Sequence, residues 1–125
     1  MKLRKDKNKM SENRQLNTLL PKIEAMFELM KADYNKFMGG DSAIQTKMRK
    51  EYADSLAYTI GQNYIKITSN NSVRCFIVIT HTDKQFPFGT LLKAASWKAP
   101  ARNFSRGNIF ELEKCKEHIR WTGVS

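Results

Sequence analysis

Cysteine is scarce in this sequence, and the two present, Cys75 and Cys115, stand alone with no C-x-x-C spacing. Neither a zinc site nor a redox pair is indicated, and a reducing cytoplasmic setting is expected. Long apolar runs are also missing. The longest is Phe76-Ile77-Val78-Ile79, far short of the ~20 residues that span a bilayer. The basic opening MKLRKDKNKM is followed by no apolar stretch of leader type, so neither secretion nor membrane insertion is expected. No P-loop and no G-x-G-x-x-G occurs, which removes those routes to ATP turnover.

Acidic residues are few. Twelve Asp and Glu against twenty-two Lys and Arg give a net charge of +10 and a pI near 9.8, which points to anionic partners: nucleotides, nucleic acid or an anionic surface. The excess is uneven. Residues 1–9 carry five basic side chains against Asp6, and residues 1–14 read as a basic flexible arm that solubilises the chain rather than forming a site. From Lys84 to Asn108, Lys84, Lys93, Lys98, Arg102 and Arg106 meet no acidic residue.

What is present fits one globular domain over residues 15–125. The apolar content of 41% and mean hydropathy of −0.56 are ordinary for a folded domain. Leu16, Leu19, Leu20, Ile23, Met26, Phe27, Met30, Tyr34, Phe37 and Met38 recur at helical spacing. Pro21 suits a first turn, so the regular helix is expected to start near Thr18 and to end at Gly39-Gly40. Ser42 with Gln45 forms a capping box, and Ile44, Met48, Tyr52, Leu56 and Ile60 extend a second helix over 42–60. Residues 64–68 and 73–80 flank an Asn-rich turn and read as a β-hairpin.

A third strand is expected over 89–95, a loop over 96–108, and short strands at 109–112 and 118–122. The fold class is therefore α+β, two N-terminal helices followed by an antiparallel sheet of four or five strands. More apolar residues surround the first helix than one sheet face covers, which predicts at least a dimer.

The loop 98–108 places Arg102 and Arg106 four residues apart with Asn103 and Phe104 between them and Trp97 just ahead. Guanidinium groups bind phosphate oxygens and aromatic rings stack on bases. If residues 102–106 made one helical turn, the two arginines could clamp a pyrophosphate from one side. Both are expected to be largely exposed, so that replacing them spares the fold. The plainer alternative is a solvated basic loop with Trp97 and Phe104 as packing anchors. In Gln85-Phe-Pro-Phe-Gly89, an extended run puts Phe86 and Phe88 on one side, able to cover a base or to plug the core. Lys93 either faces inward toward an anion or sits at a solvated edge. His81-Thr-Asp83 lacks the second copy that paired His-x-Thr chemistry requires, so His81 is read as a strand-end residue. His118, Glu113 and Glu117 show no metal-ligand pattern.

Residues 89–110, with Ile-Arg-Trp-Thr-Gly at 119–123, resemble small phage and prophage proteins of the anti-Thoeris sponge family, and size and element order agree. The resemblance spans about 27 residues. It implies a non-catalytic protein without cofactors that captures the glycocyclic ADP-ribose signal of bacterial Thoeris defence in the host cytoplasm and leaves it intact. Some relatives also take cyclic oligonucleotides, and assembly runs through the helices to dimers or larger oligomers. By the same resemblance Arg102 and Arg106 hold the pyrophosphate and Phe86 or Phe88 stacks on the base; no stable nucleic-acid complex is implied. Two other readings remain. One is a small cationic ribonuclease with His81 or His118 as general base. The other is a sequence-independent nucleic-acid binder whose affinity falls steeply with salt.

Overall fold

The computed structural model describes residues 2–125, with side chains from Gln15 onward. The expected basic arm at 1–14 lies outside the residues whose side chains are described. Helix α1 spans Lys2–Met38 and helix α2 Ala43–Ser55. An antiparallel sheet follows in the order β1-β2-β3-β4, with β1 at Ala57–Ile60, β2 at Tyr64–Ser69, β3 at Ser72–Val78 and β4 at Leu91–Leu92. A short helical segment, whose α-helical turn α3 is Leu112–Cys115, leads into a separate two-stranded ribbon, β5 (Ile119–Arg120) with β6 (Gly123–Val124). The α+β class and the order of helices before sheet are as the sequence indicates.

The stripe on α1 forms the core. Leu19, Ile23, Met26 and Met30 are wholly buried against Ile65, Ile67, Cys75, Ile77 and Leu91, each contributing roughly 1.5–3 kcal/mol of apolar burial. This burial also explains one departure from expectation. Pro21 lies inside α1, not in its first turn. Its missing N–H costs about 3 kcal/mol, but Leu19 and Ile23 on either side are fully buried, so packing carries the helix through it.

Helix α2 has the expected capping box, Gln45 N–H donating to Ser42 Oγ and Ser42 N–H to Gln45 Oε1. It stops at Ser55, short of the expected residue 60. Tyr58-Thr59-Ile60 is aromatic and β-branched and pairs with β2 instead. The hairpin β2–β3 turns through Asn70 and Asn71, both at positive φ (49° and 62°), the conformation a two-residue turn between twisted strands requires.

Strand β3 is buried on both faces. Cys75 and Ile77 face α1, while Phe76 and Val78 pack with Phe86 and Leu92 on the other side. That second face is roofed by the irregular segment 83–104, not by a helix. The expected third strand 89–95 shortens to Leu91–Leu92 because the chain doubles back on itself. Ala94 bridges Pro100, Ala101 N–H donates to Lys93 O, and Arg106 N–H donates to Leu91 O. The expected strand at 109–112 is helical, since Asn108 Oδ1 caps the Phe110 N–H. The expected strand 118–122 contracts to Ile119–Arg120.

Candidate functional site

One cation of the acid-free window from Lys84 to Asn108, Arg102, finds its carboxylate just outside it. Asp83 accepts hydrogen bonds from the Gln85 and Phe86 amides at 2.9 Å, and Arg102 Nη2 meets both its carboxylate oxygens at 2.9 Å. Arg102 also donates to Tyr64 Oη at 2.5 Å and lies 5.0 Å above the Phe86 ring. Burial alone would raise the Asp83 carboxyl. The amides and the guanidinium outweigh it and hold the group below its ordinary value. Arg102 is thus a fastener of the roof, not the exposed side chain expected from the sequence.

The remaining expected residues separate. Residues 102–106 make no helical turn, so the one-sided arginine clamp does not form. Phe86 is buried, while Phe88 belongs to the opposite core cluster, where it stacks on His81 at 4.8 Å and on Phe110 at 6.1 Å. The two rings therefore do not share a side. The Asp83 turn and the Pro87–Thr90 hydrogen bond bend the run between them. Trp97 is exposed, with Lys66 Nζ 4.5 Å from its ring. Lys93 is exposed, which selects the solvated alternative. Asn103 is exposed and its side chain accepts the Phe104 N–H.

Arg106 differs from Arg102. Its guanidinium carbon sits 3.8 Å from the Phe104 ring centre, its Nε is buried without a hydrogen-bond partner, and among the described residues it has no ion pair. It lines an open basin of about 420 Å³ together with Ser105, Asn108, Glu111, Lys114 and His118. Lys114 is partly spoken for by Glu111 at 2.7 Å. Cys115 closes the floor, its thiol raised by burial. Gly107, at φ +130°, lets the loop pass Cys115; a Cβ there would lie 2.5 Å from Cys115 Cβ. Beside this basin, sharing Pro87, lies a second hollow of about 510 Å³ lined by His81, Phe88 and Phe110. A basic basin thus adjoins an aromatic one.

Over residues 4–125 the sequence matches the family described as Family of unknown function (DUF7717). The chain belongs to DUF7717. No curated protein and no solved structure matches this DUF7717 chain. Among its described residues no helix is long and apolar enough to cross a membrane. Lys114 of the DUF7717 basin, and its grouping with His118 beside Arg106, escape sequence reading because the segment 109–118 reads as polar strand and loop. The one available signal was their spacing of four, which a helical reading would have placed on one side.

Proposed function

We propose that this protein binds a small phosphorylated nucleotide in the Arg106 basin and releases it chemically unchanged, acting as a sponge for a cyclic ADP-ribose-type signal. The observation that carries the reading is Arg106: a cation with a buried Nε lacking a partner, opening on a basin that also holds Lys114 and His118. A phosphate in the basin supplies the anionic partner that Arg106 lacks among the described residues. The adjoining hollow offers His81, Phe88 and Phe110 to a base. Both volumes lie in the range of small-molecule sites, roughly 300–1,000 Å³. The resemblance to anti-Thoeris sponges supports the ligand class, with one change. The phosphate-holding role moves from the Arg102–Arg106 pair to Arg106 with Lys114, since Arg102 is engaged by Asp83.

A second reading is a ribonuclease-type activity, favoured by His118 and Glu111 lining the same basin, where a base and an acid are what phosphodiester cleavage needs. One experiment separates the two. The protein is incubated with cyclic ADP-ribose and, separately, with a short single-stranded RNA, then denatured, and the supernatant is chromatographed. Intact cyclic nucleotide recovered in stoichiometric amount with uncut RNA supports the sponge. Cut RNA that disappears with His118→Ala supports the nuclease.

A further inference from the structure

The two edges of the sheet are finished differently. At the β4 edge the chain closes on itself: Leu91 N–H donates to Gly107 O and Arg106 N–H to Leu91 O, both at 2.8 Å. At the β1 edge all four residues are exposed. Proteins protect such an edge with lysine, proline or a bulge. Ala57-Tyr58-Thr59-Ile60 has none of these, and the sheet's one irregularity lies between β2 and β3.

Backbone direction can be read from the register. Gly61 N–H donates to Tyr64 O, and Thr59 pairs with Lys66. In an antiparallel ladder hydrogen-bonded pairs alternate, so Ala57 and Thr59 direct their amides and carbonyls toward β2. Tyr58 and Ile60 direct theirs to the open edge. The side chains of these same two residues lie opposite Ile67 and Ile65, continuing the buried isoleucine row past the reach of the helices, and they are 36% and 45% exposed.

We propose that β1 pairs antiparallel with β1 of a second copy, on a two-fold axis at Thr59, joining two four-stranded sheets into one. Tyr58 then faces Ile60 of the partner copy in hydrogen-bonded register. Each axis-related pair is an aromatic against a β-branched side chain, a favourable cross-strand combination. Charge selects a second copy over other occupants. The strand is uncharged in a chain of net +10, so two copies meet here without like charges opposed. Lys66, opposite Thr59 on β2, would lie three strand spacings, about 14 Å, from its counterpart, beyond the ~8 Å screening length at physiological salt.

Light scattering over a concentration series should show the mass rising from 14.5 kDa toward twice that value. Ile60→Lys should weaken association at least tenfold while keeping a cooperative melt. Thr59→Cys supplies a register-specific check, because Thr59 faces itself in a non-hydrogen-bonded pair with Cα atoms about 4.5 Å apart, within disulfide reach. Mild oxidation should give a covalent dimer with unchanged circular dichroism, and Thr82→Cys, exposed away from the edge, should not. The native cysteines are buried and do not compete. A parent protein that stays monomeric at hundreds of micromolar overturns the proposal. So does a dimer that survives Ile60→Lys while Thr59→Cys fails to cross-link.

Discussion

The carboxylate of Asp83 grips the guanidinium of Arg102 across nineteen residues of chain, with both oxygens 2.9 Å from Nη2. The contact fastens an irregular roof over β3, and Tyr64 and Phe86 complete the seat. Asp83 is 7% exposed, so removing its partner strands a desolvated charge.

Arg102→Ala and Asp83→Asn should each destabilise the ligand-free protein by about 2 kcal/mol, the scale of a hydrogen bond to a charged group. Thermal denaturation should show Tm falling by roughly 5–10 °C. The double variant should cost less than the sum, since each single change removes the same pair. Additive losses would contradict the coupling.

The same pair fixes a pH dependence. Asp83 is held below its ordinary pKa in the folded protein, so the unfolded chain binds more protons as pH falls. The contribution is fully present above the unfolded carboxyl value, about 3.9, and disappears as pH drops through the lower folded value. Urea titrations in a pH series from 7 downward should show the disadvantage of Asp83→Asn against the parent constant down to about pH 5 and shrinking below the unfolded value of about 3.9.

Arg106→Ala should leave Tm within about 2 °C and weaken cyclic ADP-ribose binding on the order of tenfold to a hundredfold, the equivalent of 1.5–3 kcal/mol. Calorimetry reads the affinity. Arg106→Lys should recover only part of it, because an ammonium lacks the planar fork that engages two phosphate oxygens. An unchanged affinity in Arg106→Ala removes the basin from the function.

Gly107→Ala should destabilise the fold by about 1–3 kcal/mol, because residue 107 holds φ +130° and the new methyl meets Cys115. Pairing it with Cys115→Gly, which clears the space, should restore only the steric part and leave the backbone strain.

Local signals in the sequence located the elements whose stability is local. The α1 stripe, the Ser42–Gln45 box and the Asn70-Asn71 turn all form as their residues indicate. What misled was decided at distance. Ile60 has the helical spacing to extend α2, yet pairing with Ile65 draws it into β1. Pro21 marks a helix start by its own chemistry, and the burial of Leu19 and Ile23 overrides it. At the site, residues 84–108 contain no acidic side chain of their own. Arg102 nevertheless finds Asp83 just outside that span, and Lys114 and His118 join Arg106 through a helical segment with no strong periodicity.

The C-terminal ribbon closes the far end of the α1 core. Trp121 N–H donates to Asp33 Oδ2 at 2.9 Å, the Tyr52 hydroxyl donates to Trp121 O at 2.7 Å, and Ile119 and Val124 are buried in the α1 cluster. On a ribosome adding about 5–20 residues per second, α1 emerges early but its last partners follow some 88 positions after Asp33. For several seconds of synthesis the apolar stripe from Leu19 to Tyr34 has no complete cover. The core around α1 can therefore close only once residues 119–124 have left the exit tunnel, which makes burial of the helix a late event in synthesis.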